Sequence, residues 1–105
     1  MQSSVGVCEL CGRGDIKRNF HHLICRTVHR NKYFRKRFSK EEMQKRGLWL
    51  CQLCHRGIHE IFTDEKILSK EYNTRELLLE NGKIKEHLLW VRKQKGYSTS
   101  KNLLD

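Results

Sequence analysis

The sequence predicts a small α+β fold, on three observations: a segment from Ile16 to Ile24 that reads as a strand or bent hairpin arm, helix-start signatures from Ser39 onward, and two CxxC pairs. A chain of 105 residues forms one domain with one modest core, so a single site must carry the function. Hydrophobic residues are 37% and charged residues 32%, and a core this small gains from a metal staple.

The first element is the run CELCGRGD from Cys8, which has the glycines and close ligand spacing of a zinc knuckle. The strand from Ile16 to Ile24 follows and carries His21 and His22. Between Arg26 and Lys40 stand seven Lys or Arg and no acidic residue, with Tyr33, Phe34 and Phe38 interleaved. This run suits a loop lying along phosphates; a solvated basic loop is the plainer reading. Ser39 with Glu42 three residues later matches a capping box, and Gly47 suits a C-terminal stop, so 40–46 reads as a short helix. Leu48, Trp49 and Leu50 lead as a short strand into the second knuckle.

After Cys54, Ile58, Ile61 and Phe62 fall at helical spacing, and His55 and His59 at i and i+4 share one helical face. Thr63 before Asp64 and Glu65 resembles a second helix start, although the first helix could continue through it with a bend. Asn73 with Glu76 matches a further capping box leading into Leu77, Leu78 and Leu79, which Gly82 would end. Ile84, Leu88, Leu89 and Val91 mark a last amphipathic helix to about Lys95, and 96–105 reads as a flexible tail. The chain has no internal repeat and no proline.

A balance of 22 Lys and Arg against 12 Asp and Glu gives a formal net charge of +10, which favours a polyanionic partner through counterion release and steering. Nucleic acid is the leading candidate. No apolar run approaches the length of a membrane span, and the N-terminal MQSSVGVCEL lacks the regions of a signal peptide. The expectation is a soluble, cytoplasmic protein without a membrane partner.

Four of the five cysteines form the pairs Cys8 with Cys11 and Cys51 with Cys54, separated by 39 residues. If the intervening chain folds back, they deliver four thiolates to one tetrahedral zinc. Buried free thiols, a redox pair or an iron–sulfur set are the alternatives, and a redox pair would explain only one of the two motifs. Cys25 lies outside the pattern and reads as a small buried residue. His21 and His22 point to opposite faces of a strand, so one can face a metal while the other faces solvent or substrate. His55 could instead shield the knuckle, and His59 could simply pack in its helix. A metal held by histidines needs side chains converging from more than one element, and HH followed by a CHxxxH knuckle-helix meets that need.

CELC from Cys8, HHLI from His21 and CQLCHRGIH from Cys51 together resemble the HNH endonuclease family, in the subgroup whose ββα-metal (His-Me finger) core is braced by a four-cysteine zinc. The resemblance covers 8–62, over half the chain, and 63–95 is similar to a helical extension in small bacterial HNH proteins. It implies that His22 is the general base and His21 a ligand of a catalytic divalent metal (Mg²⁺, Mn²⁺, Zn²⁺ or Ni²⁺), with His59 and, next to the zinc cysteine, His55 as the helical ligands. Cys8, Cys11, Cys51 and Cys54 would hold the structural zinc. The family's middle asparagine has no counterpart just before the second knuckle; Asn31, much earlier, is the nearest candidate for that role. The activity implied is hydrolysis of phosphodiester bonds in nucleic acid, DNA before RNA and with double-stranded DNA the expected partner, leaving 5′-phosphate and 3′-hydroxyl ends. Arg26, Arg30, Lys32, Arg35, Lys36, Arg37 and Lys40 would hold the backbone. The alternative is a non-catalytic zinc-binding nucleic-acid module, with the histidines packed around one metal.

Overall fold

The computed structural model describes residues 4–94; Lys95, the expected end of the last helix, and the expected tail 96–105 lie outside the described residues. Within it, β1 (Val5–Gly6), β2 (Ile16–His22) and β3 (Gly47–Cys51) form an antiparallel sheet in the order β1-β2-β3. Six helices complete the α+β fold: α1 (Lys32–Arg37), α2 (Lys40–Lys45), α3 (Gln52–Ile61), α4 (Glu65–Glu71), α5 (Arg75–Glu80) and α6 (Gly82–Val91). A single 3-10 turn, Arg26–Val28, follows β2.

The β2–β3 register decides which side chains meet. His21 stands opposite Leu48 and Asn19 opposite Leu50, while Phe20 stands opposite Trp49. Directly opposed residues share a sheet face, so His21, Leu48 and Leu50 line one face and Phe20, His22 and Trp49 the other. On the first face His21, Leu48 and Leu50 are buried and α3 packs against both strands, while Asn19 at its edge is exposed; Leu48, Leu50 and Ile58 belong to one core with Leu68, Leu78 and Ile84. Burying a leucine or isoleucine side chain of this kind contributes roughly 1.5–3 kcal/mol.

Several sequence expectations change on local grounds. The basic run is not a loop: it contains the 3-10 turn and α1, because Asn31 caps α1 by accepting from the Tyr33 backbone amide at 2.9 Å, and Phe34 is buried. The second knuckle does not precede its helix but forms the first turn of it, with Cys51 as the N-cap. A break after Phe62 starts α4 as a separate helix, capped by Asp64 rather than Thr63. Thr74, not Asn73, caps α5 through the Leu77 amide. Asn81 both ends α5 and caps α6, so Gly82 begins a helix instead of ending one. The Ser39 hydroxyl does accept from Glu42 N, but the Glu42 carboxylate pairs with Arg46 at 2.9 Å instead of closing the box.

Gly47 is not a left-handed stop either. It is the first residue of β3, and a Cβ there would lie 2.3 Å from Phe20 Cζ and 2.5 Å from the His21 carbonyl oxygen. Gly57 has the same function in α3: a Cβ would meet the His87 ring at 2.2 Å, and that ring pairs with the Leu53 carbonyl at 3.0 Å, locking α6 onto α3.

The helices after α3 also clamp the first knuckle. Arg75 Nε donates to the Glu9 carbonyl at 2.6 Å and Arg92 Nε to the Cys11 carbonyl at 3.0 Å. Glu9 in turn brackets Trp49, with its amide donating to the Trp49 carbonyl and its carboxylate accepting the Trp49 amide. Because the approach at Gly47 is set by backbone, Gly47→Ala should destabilise the fold by about 1–3 kcal/mol, as overpacking does. Denaturant unfolding measures it, and an unchanged midpoint would contradict this steric account.

Candidate metal centre

Two clusters of residues able to hold a metal ion include side chains from the β3–α3 joint and the helix that follows it. In the first, the sulfurs of Cys8, Cys11, Cys51 and Cys54 are all within 4.8 Å of one another, and all four residues are buried. Cys11 Sγ and Cys51 Sγ are 3.9 Å apart. A tetrahedral zinc with Zn–S bonds near 2.3 Å has sulfur–sulfur edges of about 3.8 Å, so the separation suits a shared metal and is far too long for a disulfide. Backbone amides reinforce the sulfurs: Leu10 and Cys11 donate to Cys8 Sγ at 3.5 and 3.4 Å, and Cys54 donates to Cys51 Sγ at 3.4 Å.

The electrostatics agree with the donor chemistry. Hydrogen bonds from Cys51 and then Cys54 push the Cys11 thiol far below its ordinary value, while hydrogen bonding with Cys11 pushes Cys51 and Cys54 far above theirs. Like charges crowd in this pocket, so the four sulfurs ionise together only with a cation among them. Arg13 supplies outer positive charge, with Nη2 at 3.0 Å from Cys51 Sγ and Nε at 3.4 Å from Cys11 Sγ. The four-cysteine cluster is thus compatible with a structural zinc. Cys25 stands apart, buried, with its amide donating to Ser69 Oγ at 2.8 Å.

The second cluster is His21, His55 and His59, whose ligand nitrogens also lie within 4.8 Å of one another. Ring centroids are 5.2 Å apart for His21 and His55, 5.5 Å for His21 and His59, and 5.1 Å for His55 and His59. His21 is 1% exposed, and both of its ring nitrogens are buried without a hydrogen-bond partner. Burial, followed by the neighbouring His55 and His59, pushes the His21 pKa down to about 3, and burial also lowers His55. Neutral imidazoles with converging lone pairs are the form in which histidine binds a metal.

His22, on the opposite strand face, is half-buried between the rings of Phe20 at 4.9 Å and His29 at 5.8 Å. Burial first, then His29 and Arg26, lowers its pKa. At the strand end His21 and His22 open together on a cavity of about 320 Å³ with His55, His59, Thr27 and Glu65. An adjoining groove of about 950 Å³ runs from His22 past Arg26, Arg30, Arg35 and Lys40. Lys32 and Lys36 line a neighbouring depression with Arg30 and Arg35. Arg37 points elsewhere, stacked 3.6 Å over the Tyr33 ring. Asn31 is not brought to the histidines: it caps α1 and lines a separate depression with Tyr33 and Asp64.

Glu65, Thr27, His29 and Arg13 are the neighbours that sequence reasoning missed. Arg13 lies inside the CELCGRGD run and His29 inside the basic run, but neither is a cysteine ligand or a basic-run cation; Glu65 approaches His59 only through the break before α4.

If the four sulfurs hold one metal, Cys51→Ser should release zinc and abolish cooperative unfolding, since binding free energy at such a site is folding free energy. Retained zinc content together with unchanged far-UV circular dichroism would contradict this.

No helix among the described residues is long and apolar enough to cross a membrane. No family model matches the chain, and no solved structure matches it. The chain is 32% identical over 91 residues to "Uncharacterized protein YisB" of Bacillus subtilis (strain 168), an alignment covering 85% of this chain and 76% of that protein. At that identity and coverage, the chain belongs to the same family as YisB.

Proposed function

We propose that the chain is a metal-dependent endonuclease of the HNH type, hydrolysing phosphodiester bonds in nucleic acid, DNA in particular. The observation that carries this reading is the buried His21, whose ring nitrogens have no hydrogen-bond partner and which brings one ligand atom within 4.8 Å of those of His55 and His59, while the adjacent His22 opens on a basic groove. The succession β2, β3, α3 supports a ββα-metal core, because the hairpin supplies His21 and the helix that follows it supplies His55 and His59. The histidine set has a neighbouring cavity in which a substrate could reach the metal, whereas the four cysteines are all buried.

His21, His55 and His59 would hold the divalent metal, which when bound polarises the scissile phosphate and stabilises the leaving oxygen. His22, kept neutral by its lowered pKa, accepts a proton from the attacking water. Phe20 and His29 flank its ring and restrict its orientation. Arg26, Arg30, Arg35 and Lys40 engage phosphates along the groove without reading bases. The non-catalytic alternative, a zinc-binding nucleic-acid module, draws support from the position of Asn31, which caps α1 and leaves His22 without a carboxamide partner.

His22→Ala should keep its metals and still bind DNA, yet lose plasmid nicking in Mg²⁺ or Mn²⁺ by roughly 10² to 10⁴, the usual worth of a positioned proton acceptor. Nicking at the wild-type rate by a nuclease-free preparation would shift the assignment to the binding module. Replacing Arg30 and Arg35 together with Ala should lower the slope of log affinity against log salt by about 0.9 for each phosphate that the variant no longer neutralises. An unchanged slope would remove the groove from the account.

A further inference from the structure

The cavity beside the three histidines contains one carboxylate. Glu65, in the first turn of α4, brings Oε2 to 3.7 Å from His59 Nδ1. Its other oxygen, Oε1, accepts a hydrogen bond from the Thr27 hydroxyl, which sits on the 3-10 turn between β2 and α1. The carboxylate is thus pinned from one side and aimed at the ring from the other. Its surroundings are half-open, with Glu65 and His59 side chains 38% and 35% exposed.

We propose that Glu65 is a positioning residue for the histidine metal site, acting through His59. This rests on the reading of His21, His55 and His59 as metal ligands. A carboxylate beside Nδ1 favours the tautomer with its proton on that nitrogen, which leaves Nε2 with the lone pair for a metal shared with His21 and His55. The same negative charge makes the imidazole a stronger donor and offsets part of the positive charge a divalent ion brings into a pocket of neutral ligands. Glu65 itself does not belong to the ligand cluster. The contact also gives the helices after α3 a part in the chemistry, since α4 packs against the 3-10 turn and through it ties the basic segment to the metal site. Thr27 completes the chain by preventing the carboxylate from turning to solvent.

The test is a Co²⁺ titration of protein already holding one equivalent of zinc, followed by visible absorption and calorimetry, so that metal affinity is read apart from nuclease activity. Wild type should take up one further Co²⁺ with a nitrogen-ligand spectrum, and His59→Ala should not. Glu65→Gln, which keeps size and helix position, should bind that Co²⁺ about 10- to 100-fold more weakly, with zinc content and thermal midpoint unchanged. Thr27→Val, which frees the carboxylate without removing it, should fall between the two, and it supplies the readout if Glu65→Gln does not fold. Equal Co²⁺ affinity in wild type and the folded variants would overturn the role of Glu65 while leaving the histidine site standing. Failure of wild type to bind any Co²⁺ beyond the zinc would overturn the histidine site and, with it, this inference.

Discussion

The structure turns on Cys51. It ends β3, stands opposite Arg18 of β2 in the sheet register, contributes a sulfur to the four-cysteine cluster, and caps α3 by accepting the Cys54 amide at 3.4 Å. A single residue therefore joins strand, cysteine cluster and helix, and the direction in which α3 leaves the sheet follows from the sulfur geometry. His55 is the next residue after Cys54, and His59 follows one turn later. Holding Cys51 and Cys54 in one sulfur cluster consequently fixes which way the helical histidines face, and they face His21.

This coupling explains how so small a core tolerates a polar group at its centre. Each ring nitrogen of His21 that is buried without a partner costs about 1–3 kcal/mol, and a cation among the three rings would satisfy the one that carries the lone pair. A divalent metal is such a cation. The two clusters differ in chemistry as well as in composition: four soft, buried sulfurs suit a closed structural site, whereas the three imidazoles stand beside a cavity. The charge arrangement follows the same division. Arg13 is drawn to the sulfurs, while Arg26, Arg30 and Arg35 face the groove that opens from His22.

What was legible in the sequence was what depends on local spacing. The two CxxC pairs follow from ligand spacing, and the i,i+4 histidines and the opposite directions of His21 and His22 from helix and strand periods; the structure gathers the four cysteines, sets His55 and His59 beside His21, and puts His21 and His22 on opposite sheet faces. The helical phase after the second knuckle was readable for the same reason. Less legible were the boundaries. Asp64 and Thr74 win the cap positions from Thr63 and Asn73 by a single residue, a choice made by where the preceding helix stops packing. Gly47 looked like a helix stop but is required by the close approach of Phe20 and the His21 carbonyl across the hairpin, which no local signal reveals. The basic run read as a loop because its charge masked the Asn31 cap and the buried Phe34. Contacts such as Arg92 to the Cys11 carbonyl, 81 residues away, and Glu65 to His59 arise only once α4 to α6 have folded back, and the purpose of those helices was invisible until they had.

X-ray absorption fine structure on protein loaded first with one and then with two equivalents of zinc tests most directly the claim that sulfur geometry and histidine geometry are separate sites joined through Cys51. The account predicts a pure four-sulfur shell near 2.3 Å at one equivalent, and at two equivalents an added nitrogen and oxygen shell near 2.0–2.1 Å with the sulfur distances unchanged. A mixed sulfur and nitrogen shell at one equivalent, with no second metal bound, would contradict it.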